Sequence, residues 1–321
     1  MSAPDPIPPH APKVGRARQV LGDYHVTGLF WYRFHKWAVS TLPAWTLWPI
    51  TITFTTFFFF TIFNIRRAIA SNLENVLGPC GFLERQRRIY ATMWTFGWCL
   101  TERYERLTTE RPFDLSIEAI EHWNDVASLD RGFVMVTAHL GMYEVSSMLP
   151  TPDGPRHVHL VREPEIDPRA QEFIRQCVRS VEGSHYTMHF QSADPLQGMI
   201  FLDALRRREI VAMQGDRPRT GSRTVPATLF GRPIDLPSGP AALARTAGVP
   251  MLPVFALREG RRRCRVIFCP RVDVPHTGDR NADLTMAMGH VAAEVERAVR
   301  RTPHQWFVFR ELWPDTGRVN R

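Results

Sequence analysis

The stretch Phe133-Val134-Met135-Val136-Thr137-Ala138-His139-Leu140-Gly141-Met142-Tyr143-Glu144 decides how this chain is read. Phe133 to Thr137 is a short apolar run rich in β-branched side chains, the pattern of a strand buried on both faces. A histidine follows, then a glycine two residues on and a glutamate five residues on. On one continuous helix, His139 and Glu144 would stand about 140° apart and could not meet. A turn at Gly141 changes this. With His139 at the end of the strand and Glu144 in the first turn of a helix over Met142–Leu149, the carboxylate reaches one imidazole nitrogen while the other faces a cleft. His139 is then a base oriented by Glu144, with the nucleophile left to the substrate. Open α/β sheets bind ligands outside the carboxyl ends of their strands, so the position suits a reacting group. A lone histidine bonded to backbone at a strand end accounts for the same spacing.

Outward from this stretch, short apolar runs alternate with longer amphipathic ones. Strands are expected at His157–Val161, Ile210–Met213, Met251–Leu257 and Arg263–Cys269. Helices are expected at Pro168–Val181, Pro195–Arg207, Gly239–Ala247 and about Ala282–Arg301. Interleaved strands and helices predict an α/β domain over 66–315, a mixed central sheet flanked by helices. Residues 66–110 read as helical, with Ile89, Met93, Phe96 and Leu100 at three-to-four spacing.

Towards the N-terminus the pattern changes again. Residues 1–20 carry Pro4, Pro6, Pro8, Pro9 and Pro12 and read as a flexible tail. Trp37 to Ile65 is 29 residues without a charge, longer as a helix than a ~30 Å hydrocarbon core. Pro43 and Pro49 interrupt it, and the stretch after Pro49 makes only about 22 Å of helix. Trp31, Trp37, Trp45 and Trp48 cluster at one end, where interfacial aromatics belong. Residues 21–65 are therefore expected to form an N-terminal hydrophobic helical membrane anchor, crossing the bilayer or lying in one leaflet. A buried core helix is the alternative.

The chain has 321 residues, is 44% hydrophobic and 22% charged, and carries a net charge of +8, a basic globular protein suited to anionic partners. All its basic residues except Lys13 and Lys36 are arginines, spread along the whole length. Cys80, Cys99, Cys177, Cys264 and Cys269 form no C-x-x-C, which gives neither a zinc knuckle nor a disulfide framework and points to a reducing compartment. No G-x-S-x-G elbow, P-loop or strand-linked G-x-G-x-x-G is present, which argues against serine hydrolases, nucleotide triphosphatases and dinucleotide enzymes. His157-x-His159 and His185-x-x-x-His189 have metal-ligand spacing without an acidic third ligand beside them in sequence, so no metal site is expected.

His139–Glu144 resembles the H-x-x-x-x-[DE] signature of glycerolipid acyltransferases, and the form His-Leu-Gly-Met-Tyr-Glu resembles the bacterial lipid A late acyltransferase family. Further elements follow that family's order: Arg162 after a strand, Asp216 in Gln214-Gly215-Asp216, Phe230-Gly231-Arg232-Pro233, Pro237-Ser238-Gly239-Pro240-Ala241, and Pro303-His304-Gln305-Trp306 with Arg310. Arg66–Glu84 resembles its Arg- and Asn-containing helix. The resemblance covers roughly residues 20–315. Val161-Arg162-Glu163 departs from the family's Tyr-Arg-Pro, Gln214 from the first Asp of its Asp-x-Asp, and Glu311 from a second Arg.

What the resemblance implies is O-acyl transfer from an acyl carrier protein or acyl-CoA thioester, as co-substrate and without a cofactor, to a hydroxyl of a membrane lipid. His139 and Glu144 are the implied catalytic pair. Oxyanion donors are sought in the Ser238-Gly239 turn or Arg162. Arg162, Arg217, Arg219, Arg232 and Arg310 are candidate grips for donor or acceptor phosphates. Asp216 either orients one of them or caps a turn. A lipid A precursor is the implied acceptor; ornithine lipids, glycolipids and lysophospholipids are alternatives. The implied location is the bacterial inner membrane, with an anionic lipid surface as partner and the site facing the cytoplasm. A non-catalytic basic membrane-binding module is the competing class. Nucleic acid is not an expected partner, because the aromatics lie in the anchor and core rather than on a basic face.

Overall fold

The computed structural model describes residues 29–108, 113–143, 156–165, 167–181, 185–192, 195–218 and 221–314, with the isolated positions Pro152 and Gly154. Four helices open the described chain: α1 (Leu29–Thr41), α2 (Leu47–Thr61), α3 (Phe63–Leu77) and α4 (Phe82–Thr108). The charge-free stretch does not continue as one rod. Pro43 separates α1 from α2, Pro49 sits in the first turn of α2, and at Ile62 the axis turns, so that α3 stands at 91° to the segment Ala44–Thr61. No single helix among the described residues is long and apolar enough to cross a membrane. One stripe of α2, Leu47, Thr51, Thr55 and Phe59, is buried, and Thr51 and Thr55 lie against Gly97 of α4. Phe57 and Phe60 on the other side are exposed, as are Trp45 and Trp48 at its N-terminal end, Phe63 and, at the start of α4, Phe82 and Leu83.

The α/β body follows. Its strands are β1 (Asp114–Glu118), β2 (Phe133–Thr137), β3 (Val158–Arg162), β4 (Tyr186–Phe190), β5 (Ile210–Gln214), β6 (Thr224–Leu229), β7 (Arg232–Pro237), β8 (Met251–Gly260) and β9 (Arg263–Phe268). Its helices are α5 (Ile120–Ala127), α6 (Pro168–Val181), α7 (Pro195–Arg206), α8 (Gly239–Ala247) and α9 (Arg280–Arg301). Seven strands form one mixed sheet in the order β1-β9-β8-β2-β5-β3-β4, and β6–β7 form a separate antiparallel hairpin. From β8 to β4 all neighbours run parallel; β9 reverses against β8, and β1 runs parallel to β9. The mixed α/β class expected from the alternation is present. Strands β1, β4, β6 and β7 and helix α5 were not foreseen. The tail 1–20, most of the helix expected over Met142–Leu149, and Glu144 and Arg219 lie outside the described residues.

Alternation along β2 divides the core. Val134 and Val136 point to the face covered by α8 and α9, where they meet Ala241, Ala244, Met288 and Val291. Phe133 and Met135 point to the face lined by Trp123 of α5 and Cys99 of α4. Helix ends follow local chemistry: Asp279 caps α9 by accepting the Asn281 and Ala282 N–H groups, and Gly248 ends α8 at φ +65°.

Two clusters of polar contacts help fix the four N-terminal helices to this body. Glu102 of α4, fully buried, accepts from the Arg258 guanidinium at 2.8 and 3.2 Å and from the Arg262 N–H at 3.0 Å, while Arg261 pairs with Glu105. Asn72 of α3 donates to the Val308 and Arg310 carbonyls and accepts from the Leu312 N–H, pinning the C-terminal segment as a strap across the body.

Candidate active site

Strands β2 and β5 are parallel neighbours paired Thr137 to Gln214. Register alone therefore places residues two positions past each strand end beside one another: His139 and Asp216. The ladder runs on for one more bond, Gly215 N–H to Thr137 O at 2.9 Å. Beyond it Asp216 takes over, one carboxylate oxygen accepting the His139 N–H at 3.1 Å and the other lying 2.8 Å from His139 Nδ1. The Trp306 indole donates to the same carboxylate at 3.2 Å. Asp216 is 1% exposed and His139 6%. Burial pushes the Asp216 carboxyl up, but the imidazole, its neighbouring N–H and Arg217 outweigh burial and hold it below its ordinary value.

The turn after His139 is built to leave no freedom. Gly141 adopts φ +58°, and a Cβ there would stand 2.3 Å from the Ala256 carbonyl and 2.8 Å from Gln305 Oε1. Its N–H donates to the Gln305 carbonyl, the Met142 N–H to the Ala256 carbonyl, and the Phe307 N–H to the His139 carbonyl. The Gln305 side chain in turn brackets Arg258, accepting from its N–H and donating to its carbonyl, both at 2.8 Å. Residues 305–307 thus run as a short antiparallel splint along His139–Gly141.

On the other side of the imidazole lies Arg217, its Nη2 2.8 Å from His139 Nε2 and its Nε 3.2 Å from Nδ1. An ionised carboxylate only accepts, so the tautomer that satisfies Asp216 carries the ring proton on Nδ1 and leaves Nε2 to accept from Arg217 Nη2. That is the tautomer a general base needs, with its lone pair at the open end of the strand. In this state the lone pair is engaged by Arg217, which must draw aside for a substrate hydroxyl to reach it. Arg310 donates to the Pro218 carbonyl and so holds the loop that carries Arg217. Burial lowers the Arg310 pKa, Arg217 lowers it further, and Glu163 and Asp216 oppose both.

The structure therefore gathers His139, Asp216, Arg217 and Arg310. Asp216, expected near a substrate-binding arginine or at a turn, holds the imidazole itself. Arg162 ends β3, two strands from β2 and so about 10 Å away in the sheet, where it pairs with Glu165 at 3.8 Å. Arg232 lies further off, bonded to Asn75 and stacked over Trp313. Ser238 directs both its N–H and its hydroxyl to the Arg223 carbonyl, at 3.0 and 3.1 Å, which engages the backbone donor the turn was expected to offer an oxyanion. Gly239 opens α8 against Met213 at the end of β5. His159 bonds to His189 at 2.9 Å and to Glu209 at 2.7 Å, while His157 packs its ring against His159 and bonds instead to Thr187 at 2.8 Å. Among the described residues no three such side chains converge as metal ligands. The roles of Asn72, Gln305 and Trp306 depend on contacts from 47 to 240 residues away in sequence; the resemblance marked the segments that carry them but not their partners.

The family model described as bacterial lipid A biosynthesis acyltransferase matches residues 19–315. Among solved structures, the chain is similar to the 1-acyl-sn-glycerophosphate (LPA) acyltransferase PlsC from Thermotoga maritima, at 16% identity and a TM-score of 0.36 over 81% of this chain and 99% of that one. No curated protein matches.

Proposed function

The chain belongs to the bacterial lipid A biosynthesis acyltransferase family and is an acyltransferase; from that premise we propose that it moves a fatty acyl chain from a thioester, on acyl carrier protein or coenzyme A, to a hydroxyl of a membrane lipid. One observation carries the chemistry: an imidazole at the carboxyl end of a central parallel strand, its Nδ1 bonded to a buried carboxylate and its Nε2 accepting.

The steps balance without a covalent enzyme intermediate. As the acceptor oxygen attacks the thioester carbonyl, its proton passes to His139 Nε2, and Asp216 stabilises the imidazolium that forms. The tetrahedral intermediate collapses with cleavage of the carbon–sulfur bond, and the thiolate leaves with the proton from Nε2. Arg217, displaced from the ring, stands within reach of the oxyanion or of a substrate phosphate. Glu144 is kept as the carboxylate of the signature, with a role to be tested separately from that of Asp216.

The acceptor is proposed to be a lipid A precursor. The protein is placed at the bacterial inner membrane, its site facing the cytoplasm. The exposed aromatics in and just before α2, Trp45, Trp48, Phe57 and Phe60, support an interfacial seat there. The net charge of +8 supports attraction to anionic lipid. Mass spectrometry of membrane lipids from cells with and without the gene tests the reaction: one lipid species shifted by a single acyl mass, restored by the wild type and not by His139→Ala, is expected. An unchanged lipid profile refutes the proposal.

A further inference from the structure

Arg217 covers the reacting nitrogen of the base. Its Nη2 stands 2.8 Å from His139 Nε2 and its Nε 3.2 Å from Nδ1, so the lone pair that has to take a hydroxyl proton is already engaged by a donor. No opposite charge holds the guanidinium there. The neighbouring carboxylate, Asp216, is spent on His139 Nδ1, the His139 N–H and the Trp306 indole. Among the described residues Arg217 has no carboxylate within ion-pair distance. A guanidinium bonded to a neutral ring is held less firmly than one bonded to an anion, whose paired oxygens match its fork. The side chain is only partly buried, so it has room to swing outward.

A second cation favours the exchange. Arg310 donates to the carbonyl of Pro218, the residue after Arg217, and its pKa is lowered by burial and then by Arg217. Two guanidinium groups that repel each other beyond the end of β5 are relieved together by one anion.

We infer that Arg217 is the residue by which this enzyme distinguishes its acceptor from water, an inference that rests on the thioester reading above. With the donor alone bound, the guanidinium stays on the imidazole. An anionic group, phosphate or carboxylate, carried by the acceptor beside its reacting hydroxyl draws Arg217 off the ring and uncovers Nε2 as the hydroxyl arrives. The gain is a suppressed side reaction. A base left open beside a thioester also activates water: the water oxygen bonds to the carbonyl carbon, its proton passes through Nε2 to the leaving thiolate, the carbon–sulfur bond breaks, and fatty acid and thiol are released. The donor does not supply the anion. Its carbonyl stands at Nε2, and the phosphates of either carrier are set off from that carbon by the whole pantetheine arm, out of reach of a group lying on the ring. The acceptor class follows: a lipid with an acidic group next to the hydroxyl that is acylated.

The test follows thiol release from a 12-carbon acyl thioester of N-acetylcysteamine, a donor without phosphate, by the purified full chain with no acceptor present. Arg217→Met roughly keeps the length of the side chain and removes its donors. While it lies on the ring, Arg217 does not serve the oxyanion, so its loss is expected to raise hydrolysis by roughly tenfold or more, and adding His139→Ala is expected to abolish the rise. A merely structural Arg217 would slow the reaction instead. Hydrolysis unchanged or slower in folded Arg217→Met overturns the inference, as does a rise that survives loss of His139. Inorganic phosphate at constant ionic strength is expected to raise wild-type hydrolysis saturably, by roughly threefold or more, and to leave Arg217→Met unmoved. A flat wild-type response, or an equal response in the variant, overturns the anion trigger. An acyl-coenzyme A donor separates the two sources of phosphate. Arg217→Met is expected to accelerate hydrolysis of both donors alike; acceleration of the small thioester alone means that the donor's own phosphates lift the guanidinium, and overturns the assignment to the acceptor. The two proposals fail separately: faster hydrolysis by Arg217→Met with an unchanged lipid profile in cells lacking the gene keeps the cover and sinks the lipid acceptor, and a lipid shift that depends on His139 without that acceleration does the reverse.

Discussion

Replacing Asp216 with asparagine keeps the shape of the side chain and changes only what it can accept. Three donors face the carboxylate: His139 Nδ1–H at 2.8 Å, the His139 N–H at 3.1 Å and the Trp306 indole at 3.2 Å. An amide offers one accepting oxygen and an NH2 group. Its best placement turns the oxygen towards the two fixed donors, the backbone N–H and the indole, and the NH2 towards Nδ1. Nδ1 must then accept, and the ring proton moves to Nε2, the atom that has to receive the proton of the acceptor hydroxyl. General-base catalysis contributes roughly 10²–10⁴-fold, and the imidazolium also loses its counter-charge. A loss in kcat on the order of 10³-fold is expected, about 4 kcal/mol of barrier. KM is expected to stay near its starting value, since the lost interaction belongs to the transition state. Release of free thiol from an acyl thioester, measured with purified protein and acceptor lipid, reads the rate. Raising the pH does not restore it, because the defect is a tautomer and not a protonated base. Nitrogen NMR of labelled histidine reads the tautomer directly. A folded Asp216→Asn protein within tenfold of wild-type kcat, with its proton still on Nδ1, refutes the reasoning. Glu144→Gln in the same assay separates the two carboxylates.

Gly141→Ala forces a side chain into φ +58° and against the Ala256 carbonyl; urea unfolding is expected to show a loss of at least about 2 kcal/mol, with a fall in kcat because the turn carries His139. Glu102→Ala leaves the Arg258 guanidinium buried without its counter-charge and leaves Arg261–Glu105 as the remaining ion pair between α4 and the β8–β9 hairpin; a loss of about 3–5 kcal/mol is expected in the same assay, and a loss below 1 kcal/mol would refute the clamp. The His159–His189 pair makes stability fall in acid. Burial, followed by the neighbouring histidines, holds His189 down to about 4, and burial holds His159 below its ordinary value against the pull of Glu209. Both are neutral in the fold and charge more readily once unfolded, so their contribution is complete above about pH 6.5 and declines towards pH 4. The slope stays below about 1.4 kcal/mol per pH unit for each histidine, because each takes up at most one proton on unfolding. Melting temperatures between pH 4 and 7 check this, and His189→Phe is expected to flatten the curve.

Much of the fold was legible because it is written between near neighbours. Phe133–Thr137, Pro168–Val181 and Gly239–Ala247 lie where apolar runs, proline starts and a glycine stop put them. The elements that escaped share a physical reason. Strands β1 and β4 are the two edges of the sheet, and an edge strand with one open side need not be apolar. The β6–β7 hairpin carries Pro226, Pro233 and Pro237, which a central strand would not tolerate and a separate two-stranded ribbon does. The charge-free run from Trp37 to Ile65 was legible as apolar, but its 91° turn after Thr61 is set by packing against α4 rather than by composition.

By itself the sequence determined that a histidine stands at the end of a buried strand, in front of a glycine turn, in a chain with the lipid A acyltransferase pattern. Those are statements about residues within a few positions of each other, where covalent geometry leaves little choice. That Asp216 also holds the imidazole was decided only in three dimensions. The search along the chain offered Glu144, five residues away and outside the described residues; the pairing of β2 with β5 brings Asp216, 77 residues away, to 2.8 Å from the ring. The same pairing sets Arg217 on the opposite nitrogen, and the C-terminal strap adds Trp306. Strand register is a property of the whole sheet, fixed by the burial of both faces at once, so no window of sequence contains it.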